Sequence, residues 1–361
     1  AWLAQRPHLT RHHHVRLSRK GDVERLSRWM AGRAVGLVLS GGGSRGLAHL
    51  GVLCALADAG VPVDAVGGTS QGAFMAALHA QGLSRAQLQK QVHDYASRMG
   101  NVRHLLSDLT LPVLSVFSGK GFDAALRATF SAGAQLIEDL WLPFFCVSTN
   151  LTKGAPSVHV RGTLWRLVRA SMTIVGLLPP LYEEGEGLLV DGGYMNNVPV
   201  DVMRSLGVRT VIVVDVSDQD EVGWRSLTPY DGGVSGWQLL WDRWCPFPGW
   251  RSGADMPRYS QVISQLGWLT HAHNLRRIGR EHRIDLYLRP PHAGAPALMD
   301  GGLMTRIVKD AYEYASAAVS HWQLAGGGAG IGGEAAAPSA RSSMDVAAAP
   351  PQHAAPTPHH A

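Results

Sequence analysis

Val35-Gly36-Leu37-Val38-Leu39-Ser40-Gly41-Gly42-Gly43-Ser44-Arg45-Gly46 and Val61-Pro62-Val63-Asp64-Ala65-Val66-Gly67-Gly68-Thr69-Ser70-Gln71-Gly72 decide how this chain folds. Each stretch runs from an apolar strand pattern into a glycine-rich turn and then into a helix, which leaves backbone N–H groups without partners at the turn and in the first helical turn. Beyond the first turn, Leu50, Leu53, Cys54 and Ala57 recur at helical spacing, so a helix is expected over Leu47 to Ala59, ended by Gly60. A second helix is expected over Gln71 to Gln81, and Ser84 with Gln87 has the spacing of a capping box for a third helix running toward Met99.

Farther along, strands are expected at Pro143 to Thr149, Leu188 to Val190, Val208 to Val216 and Ile284 to Leu288. The run from Val208 to Val216 is almost continuously β-branched, the pattern of a strand covered on both faces. Leu303, Ile307, Ala311, Ala315 and Ala318 form one helical stripe that would close the domain. No internal repeat interrupts this alternation. Alternating strands and helices imply an α/β fold with a mostly parallel central sheet between helical layers.

The chain has 361 residues, 45% of them apolar, enough for one sizeable domain with a buried core. Its two ends differ from its middle. Residues 1–33 are basic and carry Arg11, Arg16, Arg19, Lys20, Arg25, Arg28 and Arg33 together with the run His12-His13-His14. Three adjacent histidines cannot all face one ion without a distorted backbone, so residues 1–33 read as a solvated basic linker and not as a metal site. The folded domain is assigned to residues 34–325. Residues 326–361 are Ala-, Gly- and Pro-rich and cannot repay the entropy of ordering, so a disordered tail is expected there. The first residue is not methionine, which fits a piece of a longer protein.

A formal net charge of +5 draws on the arm and on Arg276, Arg277, Arg280, Arg283 and Arg289. Clustered arginines suit an anionic membrane surface or nucleic acid, but no helix-turn-helix, zinc-finger or RNA-recognition pattern accompanies them, so nucleic acid is not an expected partner. The cysteines, Cys54, Cys146 and Cys245, are widely spaced and odd in number, which indicates neither a disulfide framework nor a CxxC metal site. There is no secretory signal and no apolar stretch of spanning length.

The chemistry sits in the turns. A serine hydroxyl is a poor nucleophile at neutral pH and needs exposure, a base and stabilisation of the oxyanion it creates. Gly68-Thr69-Ser70-Gln71-Gly72 has the G-x-S-x-G spacing that turns a serine outward between a strand and a helix. The loop Gly41, Gly42, Gly43, Ser44, Arg45, Gly46 before a helix would aim N–H groups at developing negative charge, with Arg45 holding the loop through backbone carbonyls or adding positive potential. That loop is also a G-x-G-x-x-G string, and Asp64 stands about 20 residues on, at the spacing of the ribose-binding acid of a dinucleotide site. A dinucleotide site gives the second turn and its serine no role, so acyl chemistry is the preferred reading.

For the base, Leu188-Leu189-Val190-Asp191-Gly192-Gly193 ends an apolar strand in a carboxylate followed by two glycines, so Asp191 is the candidate general base and Gly192 and Gly193 permit close approach. A strand-end aspartate is equally at home capping a turn. An α/β-hydrolase-type triad would instead add a histidine, with His271, His273, His282 and His292 as candidates, though none follows a strand in a glycine-flanked loop. His49 reads as a helix-face residue, and a Ser/Asp dyad is favoured. Trp237, Trp241 and Trp244, at helical spacing beside Leu240 and Phe247, read either as an interfacial aromatic face or as a lid or core helix.

With these residues in place the chain resembles the patatin-like phospholipases, whose glycine-rich oxyanion loop, G-x-S-x-G serine and D-G-[AG] aspartate occur here in order. It is most similar to the neuropathy target esterase branch, through Val66-Gly67-Gly68-Thr69-Ser70, Glu138-Asp139-Leu140-Trp141, Leu164-Trp165-Arg166, Val168-Arg169-Ala170-Ser171-Met172 and Asp191-Gly192-Gly193-Tyr194-Met195-Asn196-Asn197. Ser44 stands where that family usually has a small residue such as alanine. The resemblance implies a three-layer α/β/α fold and hydrolysis of fatty-acyl esters of phospholipid or lysophospholipid, lysophosphatidylcholine above all, with Ser70 as nucleophile and Asp191 as base. It implies no metal and no organic cofactor. A basic arm and a lipid substrate together favour a membrane surface as partner, at the cytosolic face of an intracellular membrane such as the endoplasmic reticulum, with any anchor expected outside this chain.

Overall fold

A computed structural model describes residues 9, 11–130, 133–217, 235–244, 259–291 and 301–327. In chain order the elements are α1 (Lys20–Met30), β1 (Val35–Leu39), α2 (Ala48–Asp58), β2 (Ala65–Thr69), α3 (Gln71–Ala80), α4 (Arg85–Met99), α5 (Val102–Ser107), α6 (Lys120–Thr129), β3 (Phe144–Asn150) and β4 (Ala155–His159). There follow α7 (Leu164–Ser171), β5 (Leu181–Glu183), β6 (Gly187–Asp191), α8 (Val200–Ser205), β7 (Thr210–Val214), α9 (Gly236–Trp244), α10 (Tyr259–Glu281), β8 (Leu286–Leu288) and α11 (Gly301–Leu324).

The strands form one sheet in the order β5-β6-β3-β2-β1-β7-β8, with β4 also on β3. Its centre, β3-β2-β1-β7-β8, is parallel. Strands β4, β5 and β6 pair antiparallel. The central strands read as unbroken apolar runs because both faces are covered. Val35, Leu37 and Leu39 of β1, with Ile212 and Val214 of β7, face a core built with α2, α3 and α11. Val38, Val211 and Val213 face the opposite way, toward Trp29, Met203 of α8 and Ile278 of α10. Helices on both faces make the three-layer α/β/α arrangement, and the stripe Ile307, Ala311, Ala315 of α11 is buried against α2 as its spacing requires.

Helix α4 starts with both hydrogen bonds of the capping box, Gln87 N–H to Ser84 Oγ and Ser84 N–H to Gln87 Oε1. The basic arm departs from expectation. From residue 11 it is docked on the sheet and is not a solvated linker. Arg25 is buried and donates to Asp22 Oδ1 and to the His14 carbonyl, while Arg28 grips the fully buried Asp64 with two parallel hydrogen bonds of 2.9 and 2.7 Å. His12 and His14 each place Nε2 2.8 Å from the Glu138 carbonyl, so their rings serve packing. Arg16, Arg25 and Arg28 each meet a specific carboxylate, and composition alone does not reveal those partners.

Outside the described residues lie the tail beyond residue 327, residues 1–8 and 10 of the arm, and Cys245, Phe247 and His292. Trp237, Trp241 and Trp244 of α9 are exposed, which removes the core-helix reading for them. No helix among the described residues is long and apolar enough to cross a membrane.

Candidate active site

The register of β3 explains how two residues 121 positions apart come together. Val147 pairs with Thr69 of β2 and with Val158 of β4, and the next residue, Ser148, pairs with Asp191 of β6 and with Ser157 of β4. Strands β2 and β6 therefore lie along the same edge of β3, run toward each other and stop head to head. One ends in Ser70, the other in Asp191.

At that junction Ser70 Oγ donates to Asp191 Oδ2 at 2.7 Å. Ser70 is 8% exposed and Asp191 6%, so the pair is shielded without being sealed. Ser70 has φ 54°, and among the described residues no other non-glycine residue takes a positive φ. Such a conformation costs of order 1–3 kcal/mol and persists only where the surroundings enforce it. Two glycines show how tightly they do. A Cβ on Gly72 would sit 2.2 Å from the Leu39 carbonyl oxygen, and one on Gly192 would sit 2.2 Å from the Val147 oxygen. Gly68, opposite Leu39 and Cys146 in the sheet, is equally close to the Leu39 oxygen.

Burial pushes the Asp191 carboxyl up to about 6, against the pull of its hydrogen bonds from Ser70 and from the Gly193 N–H at 2.7 Å. Desolvation disfavours the charged form, so the carboxylate binds a proton more avidly than a free aspartate. A weak base thereby becomes a competent one near neutral pH.

Around this pair lies the glycine loop. Gly41 donates its N–H to Asn197 Oδ1 at 2.9 Å and accepts from Asn197 Nδ2, so the side chain clamps this peptide from the segment just after Asp191. The Arg45 N–H and Nε both donate to the Gly42 carbonyl, which gives Arg45 the loop-holding one of its two expected roles. Gly43 takes φ +57°, opening a short 3-10 turn over Gly43–Leu47 that runs into α2. Gly46 is buried behind Gln71. Of the six loop residues expected from sequence to offer donors, two have their N–H groups engaged within the protein, Gly41 with Asn197 and Arg45 with the Gly42 carbonyl.

Two further ties hold the serine turn, through Ser171 and Asn196, which stand in the strings that carry the family resemblance although those strings do not reveal the contacts. Ser171, the last residue of α7, accepts the Ser70 N–H at 2.9 Å and donates its hydroxyl to the Val147 carbonyl at 2.6 Å. Its Oγ replaces the ladder bond that the chain forgoes when Ser70 bends out of β2. Thr69 Oγ1 donates to the Asn196 carbonyl at 2.8 Å, a second tie between the serine strand and the aspartate turn.

Histidines are held elsewhere. Among the described residues none is hydrogen-bonded to Ser70 or Asp191. His271 Nε2 lies 2.8 Å from Ser217 Oγ and 3.5 Å from Asp215 Oδ2, in a buried cluster completed by the Tyr287 hydroxyl on Asp215. His49 is fully buried with Nε2 2.9 Å from the Ser40 carbonyl, and burial lowers it to about 4, so it is neutral. His273 is exposed on α10. Asp64 is likewise unsuited to a ribose. It precedes β2, at the opposite end of the parallel strands from the glycine loop, and it accepts from Arg28 and from the Val35 N–H. A strand of five residues separates the two ends by roughly 16 Å. No group of three or more His, Cys, Asp or Glu side chains among the described residues could hold a metal ion.

Comparison with known proteins converges on one family. The family model described as patatin-like phospholipase matches residues 37–204, a span that contains the glycine loop from Gly41, Ser70 and Asp191. The chain is 42% identical over 308 residues to patatin-like phospholipase domain-containing protein 6 of Homo sapiens, covering 85% of this chain and 22% of that protein. It is 41% identical over 282 residues to lysophospholipase nte1 of Aspergillus fumigatus, covering 78% of this chain and 18% of that one. Among solved structures, VipD from Legionella pneumophila aligns with a TM-score of 0.46 at 14% identity, covering 80% of this chain and 67% of that chain. The chain thus spans about a fifth of the length of the curated relatives it matches.

Proposed function

We propose, for a chain that belongs to the patatin-like phospholipase family, that it is a serine lipid acyl hydrolase working through Ser70 and Asp191, with lysophospholipids such as lysophosphatidylcholine as substrates. The observation that carries the reading is the 2.7 Å hydrogen bond from Ser70 Oγ to Asp191 Oδ2, with the glycine loop packed against Ser70 at Gly41. The relatives support lipid ester hydrolysis in general, and the lysophospholipid preference rests on the name of the fungal relative.

In the cycle, Asp191 takes the Ser70 proton as Oγ attacks the acyl carbonyl carbon, and the N–H groups of Gly42, Gly43 and Ser44 hold the resulting oxyanion. Collapse of the tetrahedral adduct breaks the ester bond, and the departing glycerol oxygen receives the proton from Asp191. A water molecule then gives a proton to Asp191 as its oxygen attacks the acyl-serine. The fatty acid leaves and the proton returns to Ser70. One carboxylate serves both halves because it ends each half as it began.

Treatment with a fluorophosphonate followed by peptide mass mapping tests this. Covalent label is expected on Ser70 of the native chain and absent after Ser70→Ala, with ester turnover lost in parallel. Undiminished turnover by Ser70→Ala would reject the assignment.

A further inference from the structure

We propose that the loop following α5, together with the loop following α7, is the surface by which this protein docks on a phospholipid bilayer; the proposal rests on the lipid hydrolase reading above. Residues 108–117 form an outward loop whose backbone is closed on itself and on the neighbouring segment. Thr110 N–H bonds the Val116 carbonyl, Val116 N–H bonds the Gly176 carbonyl at 2.8 Å, and Phe117 N–H bonds the Leu177 carbonyl at 3.0 Å. Asp108 anchors its base by accepting from the Ser118 hydroxyl and from the Gly119 and Lys120 N–H groups. This loop is held in shape, yet it points Leu111, Val113 and Leu114 at solvent with 78%, 86% and 64% of their surface exposed. Leu106 of α5 is also exposed, as are Ile174 and Leu177 of the segment hydrogen-bonded to Val116 and Phe117. Scattered apolar residues on a surface are ordinary, but a contiguous patch on one ordered ridge marks an interaction site.

Position and charge identify the occupant. The Thr173 carbonyl, one residue before Ile174, accepts the Asp191 N–H at 2.8 Å, and the Val175 N–H bonds the Tyr194 hydroxyl at 3.1 Å. The patch therefore begins at the backbone that positions the proposed base. No charged residue occurs within 109–117 or within 172–182. The one carboxylate at the loop's base, Asp108, faces inward onto three donors, whereas Arg103 and Lys120 on its flanks are exposed. Around 109–117, aliphatic side chains flanked by Arg103 and Lys120 match the layering of a bilayer surface, acyl boundary beneath phosphate, while the second loop is followed by Glu183, paired with Arg166, and by exposed Glu184. A second copy of the chain fits less well, because a two-fold contact would bring the same cationic flanks against each other.

The test is the triple variant L111D/V113D/L114D of the full chain. Flotation with vesicles of phosphatidylcholine and phosphatidylserine is compared with turnover of a water-soluble short-chain ester. Vesicle binding and hydrolysis of vesicle lysophosphatidylcholine are expected to fall by about tenfold or more while soluble-ester turnover and melting temperature stay at parent values. R103E/K120E is expected to weaken binding to the anionic vesicles only and leave binding to pure phosphatidylcholine unchanged. Unaltered flotation of the triple variant would overturn the docking surface and leave the hydrolase reading standing. Loss of soluble-ester turnover would also overturn it, by making the loop part of the active site. So would a parent dimer that the triple variant dissociates, by naming a second copy as the occupant. Vesicle binding without turnover of any ester by the parent would sink the hydrolase reading and not this one.

Discussion

Asp191→Asn should separate what this carboxylate does for catalysis from what it costs the fold. Burial raises its pKa to about 6 from an unperturbed 3.8. An acid whose folded value is the higher one keeps its proton in the native state over a range where the unfolded chain has already released it. Between those two values the native state binds more protons, so stability falls as pH rises through the window and stays low above about 6. At about 1.4 kcal/mol per pH unit the full penalty is about 3 kcal/mol, a large share of the net stability of an ordinary domain. The amide has the same shape and never ionises. Urea denaturation of parent and variant is therefore expected to show the variant ahead by up to about 3 kcal/mol near pH 8, with the lead shrinking toward pH 4. Ester turnover by the variant should be lost across the range, and the parent's kcat/KM should climb to a plateau with an acid limb near 6. A lead of equal size at pH 4 and pH 8, or an acid limb near 4, would refute the claim that desolvation tunes this base.

Ser171→Ala leaves the Ser70 N–H and the Val147 carbonyl without their shared partner, so a loss of about 1–3 kcal/mol is expected by denaturation. As a positioning residue its removal should also slow fluorophosphonate labelling and lower kcat with KM preserved; a stability loss with kcat unchanged would reduce Ser171 to a packing role. Arg28→Ala strands the buried Asp64 carboxylate and should cost about 3–5 kcal/mol, measured as a drop in the denaturation midpoint; a change within about 0.5 kcal/mol would mean the arm is a solvated linker after all.

The parts of this molecule legible in the sequence are those whose cause is local. A strand that ends in glycines and a serine before a helix is a local event, so the turns at Gly41 and Ser70 could be placed from their own residues, as could the capping box at Ser84. The partners that complete the site are not local. Asn197 reaches back 156 residues to Gly41, and Ser171 reaches 101 to Ser70, each with a side chain that would cap a turn or face solvent in other surroundings. The same holds for the arm, whose arginines look solvated until Asp64 is brought beneath Arg28. Strand direction was the least visible feature and has the most consequence. Leu188 to Val190 has the same pattern whether β6 runs parallel or antiparallel. Had it run parallel as β3's neighbour, its final carboxylate would stand across a full strand spacing of about 4.8 Å from any serine on the adjoining strand. Running antiparallel along the edge that β2 has just vacated, it meets β2 end on, and Gly192 lets its turn come within contact of the Val147 oxygen. The hydrogen bond between Ser70 and Asp191 is thus a property of that head-to-head ending, and a substitution on Gly192 should open it without touching either functional group.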